Sequence, residues 1–152
     1  MKRKAFLIIG ATAAFAAMAT AGTQTANDVV FDDYGAVAMS LTGVAGDAAN
    51  GRKLSTNRKL GNCLACHVNS EIPEQSFHGE VGPSLDGVGD RWSEEELRGI
   101  VANAKNTFEG TIMPAFYRTD GFYRNLEKFE GKSILSAQDV EDIVAYLLTL
   151  TE

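Results

Sequence analysis

Cysteine and histidine are nearly absent, at two of each in 152 residues. A tetrahedral zinc site takes about four side-chain ligands. Beside Cys63, Cys66 and His67 the only nearby fourth is His78, an unusual set. No stretch reads as a convincing strand, so the alternating strand–helix setting of a thioredoxin-type Cys-x-x-Cys is missing. Basic residues are outnumbered, 14 Lys and Arg against 20 Asp and Glu. That argues against a nucleic-acid partner, because phosphate contacts need clustered Lys and Arg. Long apolar runs are confined to the N-terminus, and no later stretch could span a bilayer.

That single run has the layout of a secretory signal peptide over residues 1–21. Lys2, Arg3 and Lys4 form a basic start, an alanine-rich apolar run follows to about Ala19, and Ala17-Met18-Ala19 and Ala19-Thr20-Ala21 offer small-residue cleavage patterns. The run is short and weakly apolar for an anchor. The mature chain is therefore expected to be exported, to the periplasm, without a membrane anchor. Its formal charge of −6 becomes three units more negative once those three basic residues are removed. About 130 residues then remain, enough for one domain with its own core.

What cysteine there is lies in one place, "LGNCLACHVNS". In an oxidising compartment a Cys63–Cys66 disulfide is the default use. The histidine that follows directly points elsewhere. Cys-x-x-Cys-His is the attachment signature of c-type haem. Two thiols two residues apart reach vinyl groups on neighbouring edges of a porphyrin, and the next imidazole turns under the ring to meet the iron. Cys63 and Cys66 are read as thioether anchors and His67 as the proximal ligand.

A sixth iron ligand comes from few side chains. Met113 lies 46 residues beyond His67 in "GTIMPAFY", where Gly110 and Pro114 mark an irregular loop. It is the favoured ligand. His78, eleven residues past His67, is the competitor and is read as a hydrogen-bonded loop residue. A methionine–histidine pair raises the potential of the iron and suits one-electron transfer.

Three helical segments surround the motif. Asp47 to Leu60 has modest helical character. "RWSEEELRGIVANAKNTF" carries a capping box at Ser93 and Glu96 and a stripe of Leu97, Ile100, Val101, Ala104 and Phe108. "SAQDVEDIVAYLLTL" repeats the pattern, with Ser136 and Asp139 at its start and Val140, Ile143, Val144, Leu147 and Leu148 on its buried side. The glycine-dense "GEVGPSLDGVGDRW" between them reads as loop.

The order of helix, Cys-x-x-Cys-His, "GPSL" loop, helix, methionine–proline loop and terminal helix resembles the class I cytochrome c family over roughly Gly46 to Glu152. The resemblance implies an all-α haem domain over residues 46–152, preceded by an N-terminal extension over 22–45. It also implies that the Pro83 carbonyl holds the His67 ring, that Gly51 and Tyr146 meet where the first and last helices cross, and that Arg91 and Trp92 lie near a haem propionate.

Further stretches, "VVFDDYGAVAMSLTG", "FHGEVGPSLDGVGDRW", "LRGIVANAK", "TIMPAFYR" and the terminal helix, resemble the SoxX family from about Val29 onward. SoxX proteins are the small monohaem subunits of the SoxAX cytochromes of bacterial sulfur oxidation. The resemblance implies a SoxA partner, in which the chemistry takes place, and a carrier protein, SoxY, whose cysteine is joined oxidatively to thiosulfate. Electrons would pass through this chain to a soluble acceptor such as another cytochrome c, and the chain would hold no catalytic residue of its own. A free-standing electron carrier and a ligand-binding haem enzyme or sensor are the alternatives. The aromatic and basic segment from Ala115 to Ile134 and the leader before Gly46 are longer than a minimal cytochrome needs and are expected to serve the complex in part.

Overall fold

The computed structural model describes residues 22–152, so the expected signal peptide lies outside the described residues. Four α-helices and three short 3-10 turns carry the fold, with no strand among the described residues. Helix α1 is Ala48–Thr56, α2 is Val88–Arg91, α3 is Glu94–Asn103 and α4 is Ala137–Leu147. No described helix is long and apolar enough to cross a membrane.

The helix starts follow from local chemistry. Asp47 accepts from the N–H groups of Ala49 and Asn50 and so opens α1. Ser93 with Glu96 and Ser136 with Asp139 form complete capping boxes on α3 and α4, each satisfying two otherwise orphaned donors. The ends differ from expectation. Helix α1 stops at Thr56 rather than Leu60. The chain after α3 tightens into a 3-10 turn, Ala104–Asn106. That change of pitch takes Phe108 out of the stripe, and its side chain is 40% exposed. Helix α2 also forms inside the stretch expected to be loop, one short turn that begins at the left-handed Gly87.

Helices α1 and α3 both pack on α4. The core is apolar, with Leu41, Ile72, Leu97, Leu135 and Ile143 sealed from water. Where α1 crosses α4 the backbones nearly touch. A Cβ on Gly51 would collide with the Asp142 carbonyl and stand 2.9 Å from Tyr146 Cβ, so this crossing requires glycine. Asn69 is fully buried, and its amide donates to Tyr146 Oη at 2.9 Å.

Asp142 ties the same crossing together through polar groups. Its carboxylate accepts from Asp47 N–H at 2.8 Å, Asn50 Nδ2 at 2.7 Å and Gln138 Nε2 at 2.9 Å. Burial alone would raise its pKa, but those donors outweigh it and hold the carboxyl below its ordinary value. A depressed carboxylate stabilises the fold above its unfolded value of about 4 and loses that contribution as pH falls through its own lower value. Unfolding of the ferric holoprotein followed from pH 7 down to about 3 should therefore show a decline that is shallower in Asp142→Asn, which starts from a lower stability at neutral pH.

Residues 22–45 are tied to this core through a few buried positions. Val37 and Leu41 are buried as deeply as any helical residue. The Val37 N–H donates to Glu95 O at 3.0 Å, and the Gln24 N–H donates to Leu41 O at 2.7 Å. The strap passes so close to α3 that a Cβ on Gly99 would collide with the Gly35 carbonyl. Beneath it lies an ion pair that sequence periodicity did not reveal. Arg98, with 3% of its side chain exposed, donates from Nε to Glu141 Oε1 at 3.0 Å, and the Glu141 side chain is 4% exposed.

Candidate haem site

Asn62 holds a left-handed conformation, φ 49°, which asparagine tolerates better than most residues. It turns the chain from α1 into the 3-10 turn Cys63–Ala65. Within that turn the N–H groups of Cys66 and His67 donate to Cys63 O at 3.1 and 3.0 Å. The two cysteines and the histidine therefore leave one compact turn, each half-buried, and the two sulfurs are not bonded to each other. Burial pushes the free Cys63 thiol up to about 11. This is an apolar seat, suited to a sulfur that ends as an uncharged thioether.

The His67 ring has one nitrogen fixed. Nδ1 lies 2.7 Å from the Pro83 carbonyl oxygen. A carbonyl only accepts, so Nδ1 carries the proton and Nε2 keeps its lone pair for a metal. The preceding Gly82 lies flat against the ring, and a Cβ there would run into His67 Cε1. The "GP" pair thus packs one face of the imidazole and orients its edge. Arg91, expected beside a propionate, donates from Nη1 to Asp86 O at 2.6 Å and from Nη2 to Ser84 O at 2.7 Å. It braces the loop just after Pro83.

His78 is engaged on both sides. The Asn69 N–H donates to its Nδ1 at 3.3 Å and its Nε2 faces Ile72 O at 3.2 Å. Neither nitrogen is free for a metal.

Met113 is half-buried and packs on the apolar core together with Cys63 and Trp92. Its backbone carbonyl accepts from Lys105 Nζ. Trp92 meets Phe108 edge-on, with ring centroids 5.9 Å apart. The side chains nearby in sequence to this loop and to the "GP" loop are apolar and outward, Ile112 at 77% and Val81 at 66% exposure.

The donor set fits a haem. Among the described residues no three or more His, Cys, Asp or Glu gather to hold a bare ion. An imidazole nitrogen and a thioether are donors of the kind haem iron takes, and a porphyrin would supply the other positions. Two thiols on the turn that carries the imidazole would supply the tether.

Comparison with known proteins agrees. The sequence pattern of the cytochrome c family matches residues 48–151. A chain of the crystal structure of SoxXA from P. pantotrophus is 50% identical, with a TM-score of 0.81, over 86% of this chain and the whole of that one. Ferric cytochrome c-550 from Paracoccus versutus is 20% identical over 70% of this chain and 99% of that one, with a TM-score of 0.39. No curated protein sequence matches. With the Cys63–Cys66 pair, the family sets the prosthetic group as one covalently attached haem c. The chain belongs to the cytochrome c family and, within it, to the SoxX type of monohaem cytochrome.

Proposed function

We propose that this chain is the electron-accepting subunit of a periplasmic SoxAX-type heterodimer that couples thiosulfate oxidatively to a cysteine of a SoxY carrier. The observation that carries the reading is the 50% identity to a SoxXA chain over that chain's full length. The likeness therefore takes in the strap before the haem motif as well as the haem domain.

Haem c supplies a one-electron redox centre at its iron. The residues of this chain do the rest. Cys63 and Cys66 would hold the ring by two thioethers. His67 would bind through Nε2, with its tautomer and ring angle set by the Nδ1–H bond to Pro83 O, which also makes the imidazole a better donor. Met113 would provide a thioether ligand and favour the ferrous state. Trp92 and the core behind it keep water away, which disfavours the extra charge of ferric iron. Arg91 stabilises the proximal loop and has donors left for a propionate. Joining a thiol to thiosulfate through a new S–S bond releases two electrons and one proton. With haem held by these residues, this chain would take such electrons one at a time and hand each to a soluble acceptor.

Part of the segment after the methionine loop is proposed to meet SoxA. Phe116 and Tyr117 are buried, but Phe122, Tyr123 and Phe129 are exposed, with Arg118 5.4 Å from the Phe122 ring. Exposed aromatics with arginine are the composition of interface centres. Co-expression with a SoxA chain and gel filtration should give a stable heterodimer, and shortening the loop across Phe122–Phe129 should weaken it. A chain that elutes alone beside SoxA would mark it as a free carrier instead.

A further inference from the structure

The proposed sixth ligand stands on a loop that has little main-chain support of its own. The segment leaves the end of α3, where Phe108 N–H donates to Ala104 O at 2.9 Å, and rejoins α3 where Tyr117 N–H donates to Ala102 O, also at 2.9 Å. Between these points Thr111 N–H donates to Phe108 O, and no such loop bond engages Ile112, Met113 or Pro114. Pro114 has no N–H to offer. The Met113 N–H reaches only the Thr111 hydroxyl, at 3.2 Å.

Lys105 bridges that gap. Its ammonium donates to Thr111 O at 2.7 Å and to Met113 O at 2.8 Å. It makes no ion pair among the described residues. A three-donor cation on a long stem, set on the turn that ends α3, is thus committed to two carbonyls on either side of Ile112. Among the described residues nothing else polar gathers the methionine peptide onto the helix.

We propose that Lys105 is a positioning residue for the haem: it clamps the Thr111 and Met113 carbonyls onto the end of α3 and so keeps the Met113 sulfur on the iron. The proposal rests on Met113 being the sixth ligand. Lys105 touches neither iron nor porphyrin and acts through the loop. Without the clamp the loop opens locally more often, and an external ligand then competes with the sulfur at lower concentration.

The test is imidazole binding to the ferric holoprotein. Lys105→Met keeps the stem and removes the donors, and should bind imidazole about tenfold more tightly. Lys105→Arg keeps donors for both carbonyls and should stay close to the parent. The denaturant midpoint of Lys105→Met should match that of Lys132→Met, a control for the loss of one exposed charge. An imidazole affinity in Lys105→Met no higher than in the control overturns the clamp. Met113→Ala separates the two claims. Loss of the weak far-red sulfur-to-iron band in that variant keeps the ligation reading intact whatever Lys105 does. A band that survives Met113→Ala overturns the ligation reading, and the clamp falls with it.

Discussion

Glu141→Ala is expected to destabilise the holoprotein by about 3–5 kcal/mol, the usual result of removing one partner from a buried ion pair. Two groups lose their partner at once. Arg98 Nε sits 3.0 and 3.2 Å from the two Glu141 oxygens. The Leu41 N–H donates to Oε1 at 2.6 Å from a fully buried residue. Arg98 itself continues to the Val37 carbonyl at 3.0 Å and to Glu94. The pair therefore joins α3, α4 and the strap at a single point. A surface pair would be worth about 1 kcal/mol or less and would fade with salt. This one is dry, so its loss should be insensitive to salt. Glu141→Gln keeps an acceptor for Leu41 and should cost less than alanine. Denaturant midpoints at full haem loading measure the difference. Limited proteolysis of the variant should cut first within residues 22–45.

The second large effect is expected at Gly82. Gly82→Ala places a methyl group where the His67 ring lies. In a free side chain the ring would swing aside at little cost. Here Pro83 O holds one edge at 2.7 Å, and haem iron bound at Nε2 would hold the other. Overpacking of this kind costs about 1–3 kcal/mol, and relief means giving up the hydrogen bond or tilting the imidazole. The expected outcome is a falling yield of holoprotein and a higher reduction potential in what remains, because an imidazole that gives up the Pro83 bond is a poorer donor and stabilises ferric iron less. Pro83→Ala makes the contrasting case. The accepting oxygen belongs to the main chain, so that variant should keep its haem and shift its potential much less. Haem stain per mole of protein and a redox titration read both.

Much of this was legible from short-range chemistry. The Cys63–His67 turn and both capping boxes depend on residues a few positions apart, and spacing alone displays them. The Gly51–Tyr146 contact and the Pro83 bond were visible only through resemblance, since each joins residues far apart in sequence. The Arg98–Glu141 pair was hidden for another reason. Each charge lies three residues before a buried valine, Val101 and Val144, on the inner face of its own helix. Periodicity counts apolar residues and passes over a charge inside the stripe. The strap escaped for lack of any period, since its buried residues, Val37 and Leu41, stand on irregular backbone. Phe108 was misplaced because a helical stripe assumes one pitch and the chain changes pitch at Ala104. Lys105 carried no signal at all, because its partners are carbonyls, which every residue has.

The strap has one consequence for how the chain is made. Its seat is assembled from Glu95, Arg98 and Glu141, all of which follow it in synthesis, and the Leu41–Glu141 bond spans 100 residues. An emerging polypeptide thus has nowhere to lodge its own beginning until nearly the last helix has appeared. Topological closure of this kind is slow. Throughout that interval the Cys63 and Cys66 thiols stand on a chain that has not yet shut around them.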